Sequence, residues 1–136
     1  MKRNSRLSLA LHALGHMAYD AEHAQTSTEI AAHAGTNPVV VRRVLGKLRK
    51  AGLLTSERGH FGGWRLARAP QNITLADVYL ALEERLISTS VDINPHQCSI
   101  EHALHDRVSE IMQDVETSLL ERLANTTIED VRQAAE

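Results

Sequence analysis

The chain has 136 residues, 43% of them hydrophobic but only 3% aromatic, so leucine, isoleucine, valine and alanine must build a modest interior, which suits helices better than a β-sandwich. No apolar run approaches the roughly 18 residues of a membrane span, no signal-type stretch follows Lys2 and Arg3, and a single cysteine excludes an intramolecular disulfide framework, so a soluble cytoplasmic protein without a membrane partner is expected. The formal net charge of −2 hides a division: Met1 to Pro70 carries 11 Lys and Arg against 4 Asp and Glu (+7), whereas Gln71 to Glu136 carries 4 against 13 (−9), a basic half fit for a polyanion beside an acidic remainder.

Leu7, Leu11, Leu14 and Ala18 share one face of a first helix over Arg6 to Tyr19, which Ser5 can cap. Lys2, Arg3 and Arg6 near its start are candidate phosphate contacts. Ala21 to Gln25 reads as a polar connection. Thr26 with Glu29 three residues on has the spacing of a capping box, and Ile30, Ala31 and Ala34 give the second helix its apolar face. Gly35 ends that helix, Asn37 is the next N-cap, and Pro38 occupies a first-turn position where its missing N–H costs nothing. Two helices therefore meet at a tight bend, a helix-turn-helix.

In the helix opened by Pro38, Val41, Val44, Leu45 and Leu48 recur at helical spacing and face inward, leaving Val39, Val40, Arg42, Arg43, Lys47 and Lys50 outward. Guanidiniums on such a helix can reach guanine edges or phosphates in a major groove, and valine methyls can touch thymine methyls. Asn37, Val40, Arg42, Arg43 and Lys47 are thus candidate contacts, and double-stranded DNA is the expected partner. Gly52 closes the helix; Leu53 to Ser56, a turn from Glu57 to Gly63, and Trp64 to Ala67 then read as a hairpin, or wing. Trp64 and Leu66 share one strand face and seal the wing against the helices, a core role rather than a ligand platform. Arg58 and His60, flanked by Gly59, Gly62 and Gly63, are candidates for phosphate or minor-groove contact. The rival reading, a nucleotide-binding loop, lacks a Walker lysine or a dinucleotide glycine pattern.

Pro70 breaks the strand, and Thr74 with Asp77 opens a fourth helix bearing Leu75, Val78, Tyr79 and Leu82 and reaching Glu84. Arg85 to Gln97 has no sustained period and contains Asn94 and Pro95, so a loop is expected. A long helix from Ser99 to about Ala124 carries an apolar stripe, and Thr127 caps a last short helix over Ile128 to Ala135. An exposed stripe of that length is best covered by the same helix of a second copy; packing onto its own domain is the alternative. Leu104, Val108, Ile111, Val115 and Leu119 are therefore the candidate dimerisation residues. The expected architecture is mainly α with a small β-hairpin wing. Residues 1–84 form a DNA-binding domain, 85–98 a sensor-type loop, and 99–136 the dimerisation helix and terminal helix. A homodimer would read a pseudo-palindrome with half-sites about 34 Å, or a multiple, apart.

Several stretches carry a family resemblance: Leu48-Arg49-Lys50-Ala51-Gly52-Leu53, Ser56-Glu57-Arg58-Gly59, Gly62-Gly63-Trp64, Ile73-Thr74-Leu75-Ala76-Asp77-Val78 and Thr126-Thr127-Ile128-Glu129-Asp130-Val131. Over nearly its whole length the chain resembles the Rrf2 winged-helix transcription regulators, which include an iron–sulfur cluster regulator, a nitric-oxide-sensitive repressor and a cysteine-metabolism repressor. The resemblance implies a dimeric DNA-binding regulator with crossed long helices, a recognition helix from Pro38, and a wing arginine at Arg58 that enters the minor groove. The family's wing usually reads Gly-Pro-Gly-Gly-Gly, but His60 and Phe61 replace its second and third members here. Cluster-binding members carry three cysteines around the loop before the long helix, where this chain has Cys98 alone. No [2Fe–2S] cluster, and no other cofactor, is expected.

Cys98 at a helix start is a candidate redox thiol, because such a position lowers a thiol pKa. Cys98 with His102 and His105 is also a candidate zinc or copper site, with His96 nearby; a buried, inert Cys98, or regulation by a small-molecule or protein effector, is a further alternative. The combined reading is a repressor on a pseudo-palindromic operator. A winged-helix protein-interaction adaptor that has lost DNA binding would present a neutral recognition face, which Arg42 to Lys50 is not. An enzyme is not expected, since no Ser/His/Asp order, paired carboxylate cleft or phosphate loop is present.

Overall fold

The computed structural model describes residues 5–57, 63–83 and 98–135. Ser5 accepts a hydrogen bond from the Ser8 amide at 3.0 Å and starts α1, Arg6–Tyr19. Thr26 does the same for α2, Ser27–Ala34, accepting from the Glu29 amide at 3.1 Å. The capping box expected here is only half made, because the Glu29 carboxylate turns outward to His23 Nε2 at 3.1 Å. Gly35 then takes a left-handed conformation (φ 70°) at no steric cost, and Asn37 Oδ1 accepts from the Val40 amide at 3.1 Å to open α3, Pro38–Lys50. Val41, Val44, Leu45 and Leu48 are buried on α3, against Leu14 and Met17 of α1 and Ile30 and Ala31 of α2 in one core.

Gly52 (φ 80°) turns the chain into β1, Leu54–Ser56, which pairs antiparallel with β2, Trp64–Leu66, in the register Leu54 to Leu66 and Ser56 to Trp64. Each strand is one residue shorter than the sequence suggests, although the Ala67 amide still donates to the Leu53 carbonyl at 3.0 Å. The segment expected to be a plain connection before α2 instead flanks β2 on its other side. Gln25 and Trp64 exchange backbone hydrogen bonds at 3.1 and 2.8 Å, Trp64 Nε1 donates to Ser27 Oγ at 3.0 Å, and the Arg65 guanidinium donates to the Ala21 and Glu22 carbonyls. The wing is thus anchored through β2 to the start of the helix-turn-helix.

A 3-10 turn over Pro70–Asn72 leads to α4, Leu75–Leu82, opened by a reciprocal capping box between Thr74 and Asp77. This helix stops two residues before Glu84, because Glu83 turns left-handed (φ 56°). The long α5 runs Ser99–Ala124, and its 26 residues span about 39 Å at 1.5 Å per residue. A second reciprocal box, Thr127 with Asp130, opens α6, Ile128–Ala134. The two boxes are stitched together: the Leu75 amide donates to the Thr126 carbonyl and the Ile128 amide to the Ile73 carbonyl, both at 2.9 Å. Ile128 is fully buried in the same core as Ile73, Val78 and Tyr79. The architecture is the expected one, mainly helical with a two-stranded hairpin and a long C-terminal helix.

Candidate nucleic-acid interface

Burial on α3 follows its apolar spacing, and what remains outside is cationic. Arg42, Arg43 and Lys50 are exposed, and Val39 is 51% exposed at the helix entrance. Asn37 is exposed with its side-chain oxygen committed to the cap, while Val40 is half-buried and packs against the core. A surface groove beside α3 is lined by Arg6, Arg42, Arg43, Lys47, Arg49 and Lys50. This groups the first-helix arginine with the candidates on α3.

Lys47 sits differently from the two arginines. It is half-buried, and its ammonium donates to the Leu82 carbonyl at 3.3 Å, where a cation complements the negative end of α4. It also lies about 14 Å along α3 from Pro38 at 1.5 Å per residue, in the second half of the helix. Arg49 points toward the wing, donating to Ser56 Oγ at 3.0 Å with its guanidinium carbon 5.9 Å from the Trp64 ring centroid. Neither tether is signalled in the sequence: Lys47 meets a backbone carbonyl, which leaves no residue signature, and Arg49 meets a hydroxyl that the turn into β1 brings near. The candidates Lys2, Arg3, Arg58, His60 and His96, and the loop over 85–97, lie outside the described residues.

Cys98 is exposed at the N-cap of α5, where the nearby backbone amides of Glu101 and Ile100 at the helix N-terminus lower its thiol pKa. His102 is exposed and His105 half-buried. The structure does not assemble these three into a metal-holding set, and no such three-donor group occurs among the described residues. Of the apolar stripe on α5, Leu104 is 59%, Ile111 53% and Val115 46% exposed, joined by Ile100 at 69%. Val108 is half-buried, and Leu119 packs against the chain's own core. The stripe therefore divides between self-packing and an open face. A histidine cluster escaped notice in the sequence: the His12 and His16 rings lie 4.6 Å apart and those of His16 and His33 lie 4.9 Å apart. The i, i+4 spacing of His12 and His16 on α1 was the available signal.

A helix-turn-helix whose second helix presents exposed arginines, with a hairpin bonded to its start, defines a winged-helix DNA-binding protein. The chain belongs to the Rrf2 family, described as iron-dependent transcriptional regulators, which it matches over residues 3–134. It is similar to the HTH-type regulator YwnA of Bacillus subtilis, with 35% identity over 130 residues covering 94% of this chain and 95% of YwnA. CymR, an HTH-type transcriptional regulator of the same organism, is 30% identical over 111 residues, 78% of each chain. The solved structure of T. potens IscR superposes with a TM-score of 0.71 at 26% identity, covering all of this chain and 89% of that one. The protein is a transcription regulator with a DNA-binding helix-turn-helix, not an enzyme.

The iron in the family description does not fit the donors present. One cysteine per chain cannot supply the thiolate set of a conventional iron–sulfur cluster. Among the described residues no helix is long and apolar enough to cross a membrane.

Proposed function

We propose that the protein acts as a homodimeric repressor that occupies a pseudo-palindromic operator, with α3 of each copy in a major groove and the α5 helices paired about a two-fold axis. One observation supports this reading above the others: Arg42 and Arg43 are exposed in the first two turns of α3, while the same helix buries Val41, Val44, Leu45 and Leu48. In this assignment Arg42 and Arg43 read bases or phosphates, Asn37 and Val40 sit at the helix entrance, and Arg58 and His60 act from the wing. Lys47 belongs to the same basic surface as a more distant contact. Residues 1–84 bind DNA, 85–98 form the sensing loop, and 99–136 pair the copies.

Replacing Arg42 and Arg43 together by Ala should lower affinity for the protein's own upstream DNA at least tenfold. If both meet phosphates, the slope of log K against log salt should fall by roughly 0.9 for each phosphate no longer neutralised. Unchanged affinity and slope in a fluorescence titration would remove α3 from the interface.

The exposed thiol of Cys98, with its pKa lowered by the amides of the α5 N-terminus, favours a finer reading in which peroxide controls occupancy. Thiolate attack on the peroxide would form the S–O bond of a sulfenic acid at Cys98, break the O–O bond and release hydroxide, which takes up a solvent proton to become water. Peroxide should therefore change the footprint of the wild type and leave that of Cys98→Ser unaltered; an equal response in the mutant excludes the thiol.

A further inference from the structure

Two of the three clustered histidines, His12 and His33, border a space of their own beside the DNA-facing surface. Between α1, the last turn of α2 and the first turn of α3 lies a cavity of about 400 Å³, within the range of small-ligand sites. Arg6, His12 and His33 line it together with Ser8 and Thr36, and Val40 contributes to its apolar wall. Among the described residues no Asp or Glu lines it. Every described charged or chargeable side chain at the rim is thus a cation or a proton acceptor that can become one, and a hydroxyl of Ser8 or Thr36 can donate.

His16 gives this rim its support. Its ring lies against His12 of the same helix and against His33 of α2, so it spaces the two lining imidazoles. Partial burial, then the two neighbouring imidazoles, hold the His16 pKa below its ordinary value, so this spacer stays uncharged at neutral pH. The other charged group beside the stack is Arg132 of α6, on the far side of His12 and His16, where it is paired with Glu129 at 2.6 Å. That carboxylate is already neutralised. The same side chains do not form a metal site, since no three His, Cys, Asp or Glu donors among the described residues are placed to hold an ion.

We propose that this cavity is an oxyanion site, taking a phosphate- or carboxylate-sized group between Arg6, His12 and His33 with Ser8 and Thr36 as further donors. A bound anion would favour protonation of the two lining imidazoles and receive charge-assisted hydrogen bonds from them. Because the walls come from α1 and from both helices of the helix-turn-helix, the occupant bridges α1 to the start of α3 at Val40. Binding there is therefore linked to how α3 is held. The same chemistry is supplied by a free small anion or by a backbone phosphate of bound DNA, and the coupling to DNA rests on the operator-binding reading above.

The test is a titration of the full-length protein with sodium phosphate at pH 6.5, with ionic strength held constant by sodium chloride and the imidazole Cε1–H resonances followed by NMR. Saturable shifts of His12 and His33 are expected. His12→Gln and His33→Gln should each raise the midpoint roughly tenfold, as for loss of one hydrogen bond to a charged group. Arg107→Gln on the exposed side of α5 should leave the midpoint unchanged. The midpoint should fall as the pH is lowered from 7.5 to 6.

Shifts equal to those produced by chloride alone, or variants that titrate like the wild type, would overturn the site. This arm needs no DNA, so it remains readable if operator binding itself fails. In phosphate-free buffer, weaker DNA binding by His33→Gln with a salt slope lower by about one assigns the site to a DNA phosphate. Unchanged DNA affinity together with loss of phosphate sensitivity assigns it to a free anion.

Discussion

Gly63→Ala is expected to destabilise the fold by about 3 kcal/mol, the upper end of ordinary overpacking costs, and to abolish organised wing contacts with DNA. A Cβ at this position would lie 2.7 Å from the Gln25 carbonyl oxygen, 2.9 Å from its carbon and 3.2 Å from the Ala24 carbonyl carbon. All three are backbone atoms, so no side chain can swing aside. The nearest structure that could yield is the pair of hydrogen bonds between Gln25 and Trp64, at 2.8 and 3.1 Å, which fixes the wing to the start of α2. Trp64 is the chain's one tryptophan, and its Nε1 donates to Ser27 Oγ at 3.0 Å, so its emission reports on this contact directly. Urea titration followed by tryptophan fluorescence should show a red-shifted native baseline and a lower midpoint. A variant with the wild-type midpoint and spectrum would mean that the close approach at Gly63 is not a constraint.

In the homodimer proposed above, Ile111→Glu is expected to separate the copies and to weaken operator binding by about a hundredfold or more, because a single copy reads only one half-site. Ile111 lies at the middle of the open face of α5, between Leu104 seven residues before it and Val115 four residues after it. That spacing is the 3.5-residue period of a helix pair. Near a two-fold axis the substitution also sets two carboxylates close together in a drying interface. Because Ile111 is already 53% exposed in the single chain, the fold of each copy should survive, and far-ultraviolet dichroism should be unchanged. Sedimentation equilibrium decides the matter. A variant of unchanged mass would place the interface elsewhere than on α5.

The helix-turn-helix was legible because each of its boundaries is enforced by a residue with a local physical reason. Gly35 must be left-handed, Asn37 must offer an oxygen to the Val40 amide, and Pro38 can only sit where no donor is needed. The Thr74 box and the Thr127 cap were legible on the same grounds, although the return bond from Asp130 at Thr127 was not read. At Thr26 the identical pattern was misleading, since Glu29 found a nearby imidazole at His23 in place of the free amide. What remained hidden were contacts made by backbone atoms or fixed by tertiary placement. Gln25 bonds to β2 through its main chain, and Lys47 reaches a carbonyl at the end of α4, neither of which depends on a recognisable residue pair. The division of the α5 stripe into Leu104, Ile111 and Val115 outward and Leu119 inward depends on where the rest of the chain lies against α5, which periodicity alone cannot supply. The histidine stack needed His33 from α2 to meet His16 from α1, a proximity that only the folded arrangement creates.

The stitch between the two capped starts gives the C-terminal segment a keystone role. A chain cut after Ala124 would leave the Leu75 amide without its acceptor, strip the fully buried Ile73 of the donor to its carbonyl, and open a void where Ile128 fills the centre. The final dozen residues are therefore not a dispensable tail beyond the long helix but the plug that closes the interior beneath the reading surface.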